Sequence, residues 1–599
     1  MNRHYLLRVD LSKGTFVRQE IPPEWFELYL GGKTLGFYLA LKEGLMTASP
    51  LSPQNRIYIL TGPLTGFAAG GGATALVTKS PLTDTLIDSI SQSNLGHSLR
   101  TAGFDGLIIE GASPYPVYLA ITDTKQRILP ANSLWDATCS HIYHALRDAH
   151  PDIPNSSVVA IGPAGENLVR FAATMVDTRA FGRGGSGAVM GSKNLKGIIV
   201  GGNSLPQPFD GSVLDHQHEF LRTYVDSNQH PYQSYQNEGT ASIYNDHIRT
   251  GCVSGLNYRA FNYDDPALLD LGNAIVRLFN KDSSVCFRCY LSCARSGTIQ
   301  RGRFAGQRSN GPEFETIWAF GPQCGNNNVD IVVEADFLCD ELGLDCLSTG
   351  NAIGFYVECL ELGILGGSGN RGNIDIIDII YRIAYREGEG DLLAEGVKRV
   401  SESLGPSAVA MAMHVKGLEL PAYDPRGFIG IALAYAVNKR GGDHRKAFCH
   451  EESKGKVDGT ILEGKAQMVI AEEHKSAYRD SMVVCKWASL GQVVPYYLDA
   501  LYGAIGLRMT YDDLLQIGCK AINMAQIFNI AQGYDRTHDT LPSRFFDEPK
   551  SSGPLTGRYV SRQELETLKN EYYQFRGWTE NGVPTLQTLR RLGLQEFCP

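Results

Sequence analysis

The chain has 599 residues, 43% of them hydrophobic, and a formal net charge of -9. This apolar content is sufficient for a large core, and the length predicts more than one domain. The acidic balance argues against nucleic acid as a partner, and no apolar run reaches the ~18 to 20 residues that span a bilayer. Because the chain also begins without the apolar stretch of a secretory signal, we expect a globular protein of the cytoplasm.

Short β-type runs separated by glycines predict that the first part of the chain is rich in strands. The predicted strands are 5–9, 57–60, 75–78, 106–110, 158–161 and 197–200. From about residue 209 onward the hydrophobic residues recur with the period of an α-helix. The predicted helices include 213–226, 329–341, 352–362 and 374–386.

Two changes of pattern divide the chain into three predicted domains. The proline-containing segment 203–211 ends the strand-rich part, and a second change falls near 405–407. We therefore expect a strand-rich domain of residues 1–208 and two mainly helical domains of residues 209–406 and 407–599. No repeat with a period of about 20 to 50 residues is visible, which excludes a solenoid.

The thirteen cysteines are too dilute for a disulfide scaffold and odd in number, so free thiols or metal ligands are expected. Cys286, Cys289 and Cys293 lie close enough for one loop to direct three thiols at a single metal centre. Cubane iron–sulfur clusters often take three thiolates from a tight run and one from a distant segment, whereas structural zinc sites usually use two local pairs. The spacing favours a cluster and leaves its fourth ligand open.

A glycine-rich string from Gly182 to Lys196, GRGGSGAVMGSKNLK, resembles the aldehyde:ferredoxin oxidoreductase family. Seven further strings resemble that family in the expected order: LGGK at 30–33, TKSPLT at 78–83, GPEFET at 311–316, DELGLD at 340–345, HVKGLELP at 414–421, DPRG at 424–427 and RGGDH at 440–444. The resemblance implies an α/β N-terminal domain, strand-rich and pseudo-twofold, that binds pterin, followed by two mainly α-helical domains.

The resemblance also implies the cofactors. It predicts a tungsten or molybdenum atom held by the dithiolene sulfurs of two pterins, a [4Fe-4S] cluster beside it, and Mg²⁺ at the pterin phosphates. In the family an Asp followed five residues later by a Cys closes the cluster, and Asp480 and Cys485 fit that frame. Cys485, rather than Cys449 or Cys519, is therefore the predicted fourth ligand.

Carboxylates suit the N–H edge of a pterin because one carboxylate can accept two parallel hydrogen bonds. Asp340 or Asp345 is predicted to bind one pterin, and Asp480, with the backbone amide of Val484, the other. Glycines let the backbone approach a bulky anion, and cations balance its phosphates. The remaining predicted cofactor-binding residues are Gly184 and Ser186 in the glycine-rich string, Arg183 and Lys416 as cations, and Asn94 and Gly96 in a turn of the first domain.

Oxidising an aldehyde to a carboxylate requires side chains that move protons. The resemblance implies a Glu and a His beside the metal, and Glu315 and His444 match those positions. Glu313 is kept as an alternative catalytic residue because positions two apart on an extended segment share a face. His414 is the competing histidine.

Three departures from the family pattern stand out. The segment 70–75 lacks the arginine that family members use at the cofactor phosphates. Val483 and Val484 replace the usual Gly-Leu before the fourth cysteine, so unusual backbone dihedrals are not expected there. Glu334 matches the Glu of a subunit-bridging metal, but no His occurs between Arg303 and Met413. A homo-oligomer would then lack a bridging metal.

The sequence therefore predicts an enzyme that oxidises aldehydes to acids and passes electrons through its cluster to ferredoxin or a ferredoxin-like subunit. An alternative keeps the cofactor and changes the substrate to 2-hydroxy acids, 2-oxo acids or an aryl-CoA thioester. A more remote alternative is a non-catalytic iron–sulfur electron-transfer protein, which should contain iron without tungsten or molybdenum. The motifs do not distinguish tungsten from molybdenum, because the metal's sulfur ligands belong to the cofactor.

Overall fold

The computed structural model describes residues 3–227, 233–279, 282–284, 286–365, 374–447, 449–487 and 494–598. Its first 200 residues are rich in strands, as the glycine-punctuated β-type runs predict. These strands are β1 (Tyr5–Asp10), β2 (Thr15–Glu20), β3 (Ile57–Leu60), β4 (Thr74–Lys79), β5 (Leu86–Ser91), β6 (Gly106–Glu110), β7 (Val117–Ile121), β8 (Gln126–Pro130), β9 (Ser157–Ala160), β10 (Thr174–Val176), β11 (Arg179–Phe181) and β12 (Leu195–Val200). The helices between them are α1 (Glu24–Tyr29), α2 (Gly32–Lys42), α3 (Leu95–Thr101), α4 (Cys139–Ala149), α5 (Pro163–Glu166) and α6 (Ser186–Gly191).

These strands form two sheets with the same topology. The first has the order β2-β1-β6-β3-β4-β5, and the second, read from its other edge, has the order β8-β7-β12-β9-β10-β11. Each sheet contains one parallel pair, β1 with β6 and β7 with β12, and its other pairs are antiparallel. The second half of the domain therefore repeats the path of the first half, in agreement with the predicted pseudo-twofold arrangement.

A shared apolar core joins the two sheets. Leu7, Ile59 and Leu107 of the first sheet pack in one cluster with Leu119 and Ile198 of the second, and each is at most 2% exposed. A strand that is buried on both faces has a continuous apolar sequence rather than an alternating one. Short continuous apolar runs in the sequence therefore predicted these strands.

The rest of the chain is mainly helical. Its helices are α7 (Gly211–Asp226), α8 (Gln233–Glu238), α9 (Tyr244–Arg249), α10 (Pro266–Phe279), α11 (Phe314–Phe320), α12 (Val329–Leu342), α13 (Cys346–Glu361), α14 (Ile376–Tyr385), α15 (Glu389–Leu393), α16 (Val397–Leu404), α17 (Pro406–Met411), α18 (Ile429–Ala436), α19 (His450–Ser453), α20 (Lys465–Met482), α21 (Val494–Ile505), α22 (Tyr511–Ala531), α23 (Arg544–Asp547), α24 (Arg562–Arg576) and α25 (Leu586–Leu592). Short strands β13 (Asp282–Ser284), β14 (Ala294–Thr298), β15 (Arg308–Asn310), β16 (His414–Val415) and β17 (Leu418–Glu419) interrupt them.

The four predicted helices occur as α7, α12, α13 and α14, with shifts at their ends. Side-chain caps set several of their starts: Asp210 accepts hydrogen bonds from the amides that begin α7, and Asp345 does the same for α13. Such caps satisfy amide donors that the first turn of a helix leaves unpaired. None of the described helices is long and apolar enough to cross a membrane.

Candidate active site

One cavity of about 390 Å³ lies where the strand-rich domain meets the helical part of the chain. Most of the predicted site residues line it. They are Arg183 from the glycine-rich string, Cys286, Cys289 and Cys293, Glu313 and Glu315, Asp340 and Asp345, His444, and Asp480, Val484 and Cys485. The fold thus gathers side chains from six separate segments around one volume.

The four predicted cluster cysteines face this cavity from two loops. Burial raises the pKa of the Cys293 thiol well above its ordinary value, and the charge of Cys485 adds to the effect. Burial, with the charge of Cys286, also raises the pKa of Cys289. The four thiols therefore lie close enough to influence one another's ionisation. Across the described ranges no three His, Cys, Asp or Glu side chains converge as ligands of a single metal ion.

The cysteine loop packs against the first domain. Cys286 Sγ lies 3.5 Å from the carbonyl oxygen of Gln92, and the amide of Gly70 donates to the carbonyl of Phe287. The Phe287 ring stacks on His97, with ring centroids 4.5 Å apart. The segment 70–72, where the family's arginine is absent, thus contacts the loop through its backbone.

The fourth cysteine follows the end of α20. Val483 caps this helix with φ 57° and ψ 48°, a left-handed conformation. The expectation that this position has ordinary dihedrals is therefore wrong. Helices commonly end on a left-handed residue, usually glycine, and a β-branched residue is rare there. Val483 is held in place because its side chain is fully buried against Ala73 and Ala75.

The close packing around this turn explains the glycine pair at Gly31 and Gly32. A Cβ atom at Gly32 would come within 2.5 Å of Val483 Cγ2, and one at Gly31 would come within 3.3 Å of the Ser481 carbonyl oxygen. Thr34 then bonds the Ser481 hydroxyl, with 2.6 Å between the two oxygens. The pair lets the start of α2 seat directly on the Asp480–Cys485 segment.

Glu315 and His444 form a contact in the cavity. Glu315 Oε1 lies 3.5 Å from His444 Nδ1, and Glu315 Oε2 accepts a hydrogen bond of 2.9 Å from the amide of Ala422. Burial raises the pKa of Glu315 to about 7. Burial, together with the positive charges of Lys486 and Arg445, lowers the pKa of His444 well below its ordinary range. At neutral pH the histidine is therefore neutral and the carboxyl group is near its midpoint.

The two alternative residues are placed differently. Glu313 lines the cavity at the start of α11, where it accepts a hydrogen bond from Thr240 and lies 3.6 Å from Arg179, with its side chain about half exposed. His414 lies outside the cavity lining and accepts a hydrogen bond from the amide of Gly417. Neither residue contacts the Glu315–His444 pair through a hydrogen bond in the described structure.

Asp340 and Asp345 differ in the number of hydrogen bonds that their carboxylate oxygens accept within the protein. Asp345 accepts from Arg183 at 3.2 Å and from the Ser348 hydroxyl at 2.8 Å, and it also caps α13. Asp340 accepts one long bond of 3.4 Å from Asn310. Burial raises the pKa of Asp340 to about 6. Of the two, Asp340 has more capacity to accept bonds from a ligand.

Asp480 is held by a network of buried charged side chains that the motifs did not predict. The Lys446 ammonium donates to Asp480 Oδ2 at 2.7 Å and to Asp88 Oδ2 at 2.5 Å, and Lys33 lies 3.2 Å from Asp88. Although burial alone would raise it, these two lysines hold the pKa of Asp88 far below its ordinary value. Lys446 lies two residues after His444, so reading that string two positions further would have found it.

Several predicted cofactor-binding residues do not line the cavity. Lys416 is buried, and its ammonium donates to the Ala436 carbonyl and lies 2.7 Å from Asp539. Ser186 bonds Thr174 inside the first domain. The others are Gly184, Asn94 and Gly96, of which Gly184 and Gly96 pack closely on neighbouring chain segments and Asn94 is exposed.

The sequence matches one protein family along almost its whole length. Residues 6–202 match the family profile described as aldehyde ferredoxin oxidoreductase, N-terminal domain, and residues 218–594 match the one described as domains 2 and 3 of the same enzyme. Among solved structures, the chain is similar to the active site complex BamBC of benzoyl coenzyme A reductase, with a TM-score of 0.85 over 100% of this chain and 98% of that one. At 21% identity, that likeness shows a shared fold.

Relatives at higher identity cover the chain from end to end. The tungsten-containing aldehyde ferredoxin oxidoreductase of Pyrococcus furiosus is 37% identical over 99% of this chain and 98% of its own length. The protein of the same name from Thermococcus kodakarensis is 36% identical with the same coverage. The aliphatic sulfonate oxidoreductase, WOR-like subunit, of Pyrococcus furiosus is 31% identical over 99% of this chain and 97% of its length. The chain therefore belongs to the aldehyde ferredoxin oxidoreductase family.

Proposed function

We propose that this enzyme oxidises aldehydes to carboxylic acids at a tungsten or molybdenum bis-pterin centre. Electrons then pass through one [4Fe-4S] cluster to ferredoxin or a ferredoxin-like subunit. The observation that carries the proposal is that four cysteine thiols and the Glu315–His444 pair line a single cavity. Redox chemistry needs an electron carrier beside the reacting carbon, and aldehyde oxidation needs proton transfer at the same point.

The donor set of the cavity fits these cofactors. Thiolates are the usual ligands of an iron–sulfur cluster, and Cys286, Cys289, Cys293 and Cys485 would hold it. Cations suit the phosphates and the anionic sulfurs of a pterin, and the cavity wall supplies Arg183, Arg440 and Lys446. Mg²⁺ at the phosphates would add to this balance.

Carboxylates would orient the two pterins. Asp480, fixed by Lys446, would accept bonds from one ring, and Val484 lines the same cavity while its backbone amide donates to the Arg479 carbonyl at 3.3 Å. Asp340 would bind the other ring, with Asp345 serving more to position Arg183 and the start of α13. The roles predicted for Lys416, Gly184, Ser186, Asn94 and Gly96 stay predictions, because none of these residues lines the cavity.

When bound, the metal centre supplies a Lewis acid and an acceptor for the two electrons that leave the aldehyde. The protein supplies proton transfer. With a pKa of about 7, the Glu315 carboxylate accepts a proton from water that attacks the aldehyde, and releases it again without a large change in free energy. Neutral His444, whose Nδ1 lies 3.5 Å from Glu315 Oε1, helps to orient the carboxyl group.

Elemental analysis of the purified protein tests the proposal. We expect about four irons per chain, as four thiolate ligands imply, together with tungsten or molybdenum and two pterins. Dye-linked oxidation of a simple aldehyde should accompany the metal. Iron without tungsten or molybdenum would instead indicate the electron-transfer protein, and zinc in place of iron would rule out the cluster.

A further inference from the structure

Aromatic and aliphatic side chains pack around two of the predicted cluster ligands, Cys289 and Cys293. We call these side chains the apolar cap: Tyr235, Ile243, Leu291 and Trp487. Tyr235 of α8 and Leu291 of the cysteine loop are each 1% exposed. The rings of Tyr235 and Trp487 meet edge to face, with centroids 5.1 Å apart. The cap therefore joins α8, the cysteine loop and the segment after the fourth cysteine in one packed group.

Polar contacts fix α8 against the cysteine loop. Arg295, two residues after Cys293, donates to the carbonyl oxygen of Tyr235 at 3.3 Å and to that of Gln236. Gly239 directly follows α8 with φ at 67°, and a Cβ atom there would come within 3.2 Å of the Cys293 carbonyl oxygen. Glycine permits both this dihedral and this close approach. The end of α8 thus rests on the backbone that carries Cys293.

The cap also borders the cavity and the fourth predicted ligand. Trp487 stands two residues after Cys485, and both Trp487 and Ile243 line the cavity. The first cysteine of the loop has a different setting, because Cys286 Sγ lies 3.5 Å from the carbonyl oxygen of Gln92. The predicted cluster site is therefore apolar on one side and polar on the other.

Solvent access governs the redox properties of an iron–sulfur cluster. Reduction adds one negative charge to the cluster, and water stabilises that charge better than apolar side chains do. Side chains that exclude water therefore lower the reduction potential. Ferredoxins are themselves carriers of low potential, so a cluster that reduces them must also have a low potential.

We infer that the apolar cap limits the access of water and oxygen to the [4Fe-4S] cluster and keeps its reduction potential low enough to reduce a ferredoxin-type acceptor. The inference rests on the cluster of the proposed function. Trp487 is the member of the cap to change, because it is partly exposed whereas Tyr235 and Leu291 are buried. Its removal opens a path to the cluster and leaves the buried members in place.

Redox titration of the anaerobically purified holoenzyme, followed by electron paramagnetic resonance of the reduced cluster, tests the inference. Trp487→Ala should shift the midpoint potential to more positive values, because water then reaches the cluster. Trp487→Phe keeps an aromatic ring at this position and should have a potential close to that of the wild type. Tyr290→Ala is the matched control and should leave the potential unchanged, since Tyr290 lies in the same loop but packs in another apolar group and bonds His218.

A second readout does not depend on turnover. In air, the visible absorbance of the cluster should fade several times faster in Trp487→Ala than in the wild type or in Trp487→Phe, from equal starting iron contents. If Trp487→Ala binds no iron, the smaller change Trp487→Leu is judged by the same criteria.

Two results would overturn the inference alone: an unchanged potential and fading rate in the iron-replete variant, or an equal shift in Tyr290→Ala. A wild-type protein without iron would overturn the proposed function as well, so the two failures are distinguishable.

Discussion

Oε1 of Glu315 lies 3.5 Å from Nδ1 of His444, although the two residues come from distant segments of the chain. The carboxyl group is anchored by the Ala422 amide, and the imidazole ring packs against Tyr423 with ring centroids 5.2 Å apart. Burial disfavours charge on both groups. The result is a carboxyl group poised for proton transfer near neutral pH beside a neutral imidazole.

Removing either member of this pair should slow turnover without removing the cofactors. Glu315→Gln and His444→Ala are each expected to lower kcat on the order of 10² to 10⁴-fold, the range for a positioned acid–base group. The measurement is dye-linked aldehyde oxidation per bound tungsten or molybdenum. Glu313→Gln and His414→Ala are the matched controls and should retain activity. Full activity per metal atom in the first two variants would transfer the role to Glu313 and His414.

The pH dependence of turnover should follow Glu315. Its carboxyl group is neutral below its pKa of about 7 and charged above it, and only the charged form accepts a proton. The value of kcat should therefore rise with pH through about 7 and reach a plateau above it. Glu315→Gln should abolish this rise, and its residual rate should not change across the same range. A wild-type profile that falls through pH 7 would contradict the assignment of Glu315 as base.

Cysteine substitutions test the cluster. Cys485→Ser should remove the low-temperature electron paramagnetic resonance signal of the reduced protein, because Cys485 lines the cavity with the three loop cysteines. Cys449→Ser and Cys519→Ser are the controls, since neither thiol lines that cavity. An intact signal in Cys485→Ser, or its loss in Cys449→Ser, would assign the fourth ligand elsewhere.

The glycine pair provides a structural test of the turn that precedes the fourth cysteine. Gly32→Ala would place a Cβ 2.5 Å from Val483 Cγ2, with φ at 37°, where side chains are strained. We expect a loss of about 1 to 3 kcal/mol in unfolding free energy, as overpacked sites show, and a lower metal content because the Asp480–Cys485 turn shifts. Gly211→Ala is the control, since its Cβ would meet only Pro208 Cγ at 3.7 Å. Unchanged melting temperature and metal content in Gly32→Ala would show that the turn does not depend on this contact.

Much of this arrangement could be predicted from local pattern. Continuous apolar runs indicated strands such as β3 and β6, and helical periodicity indicated α12, because burial of one face or both fixes the spacing of apolar residues. The motif strings placed Glu315 and His444 among the candidate residues. Composition and spacing alone did not predict that Glu315 and His444 lie at the same site. That prediction came from the resemblance to the family.

Other features depend on contacts between distant segments, which no local pattern records. The left-handed Val483 is stabilised by Ala73 and Ala75, so the local sequence predicted ordinary dihedrals and the packing decided otherwise. The type and position of Lys416 predicted a ligand cation, and the fold shows in addition that its ammonium pairs with Asp539.

The sequence by itself determined the fold class, the family and the chemical types gathered at the site, because these follow from periodicity and from strings of fixed spacing. Only the tertiary structure decided which charges neutralise one another. It paired Lys446 with Asp480 and Asp88. Burial and pairing set the free energy of a charge, and both depend on neighbours that the chain brings together only when it folds.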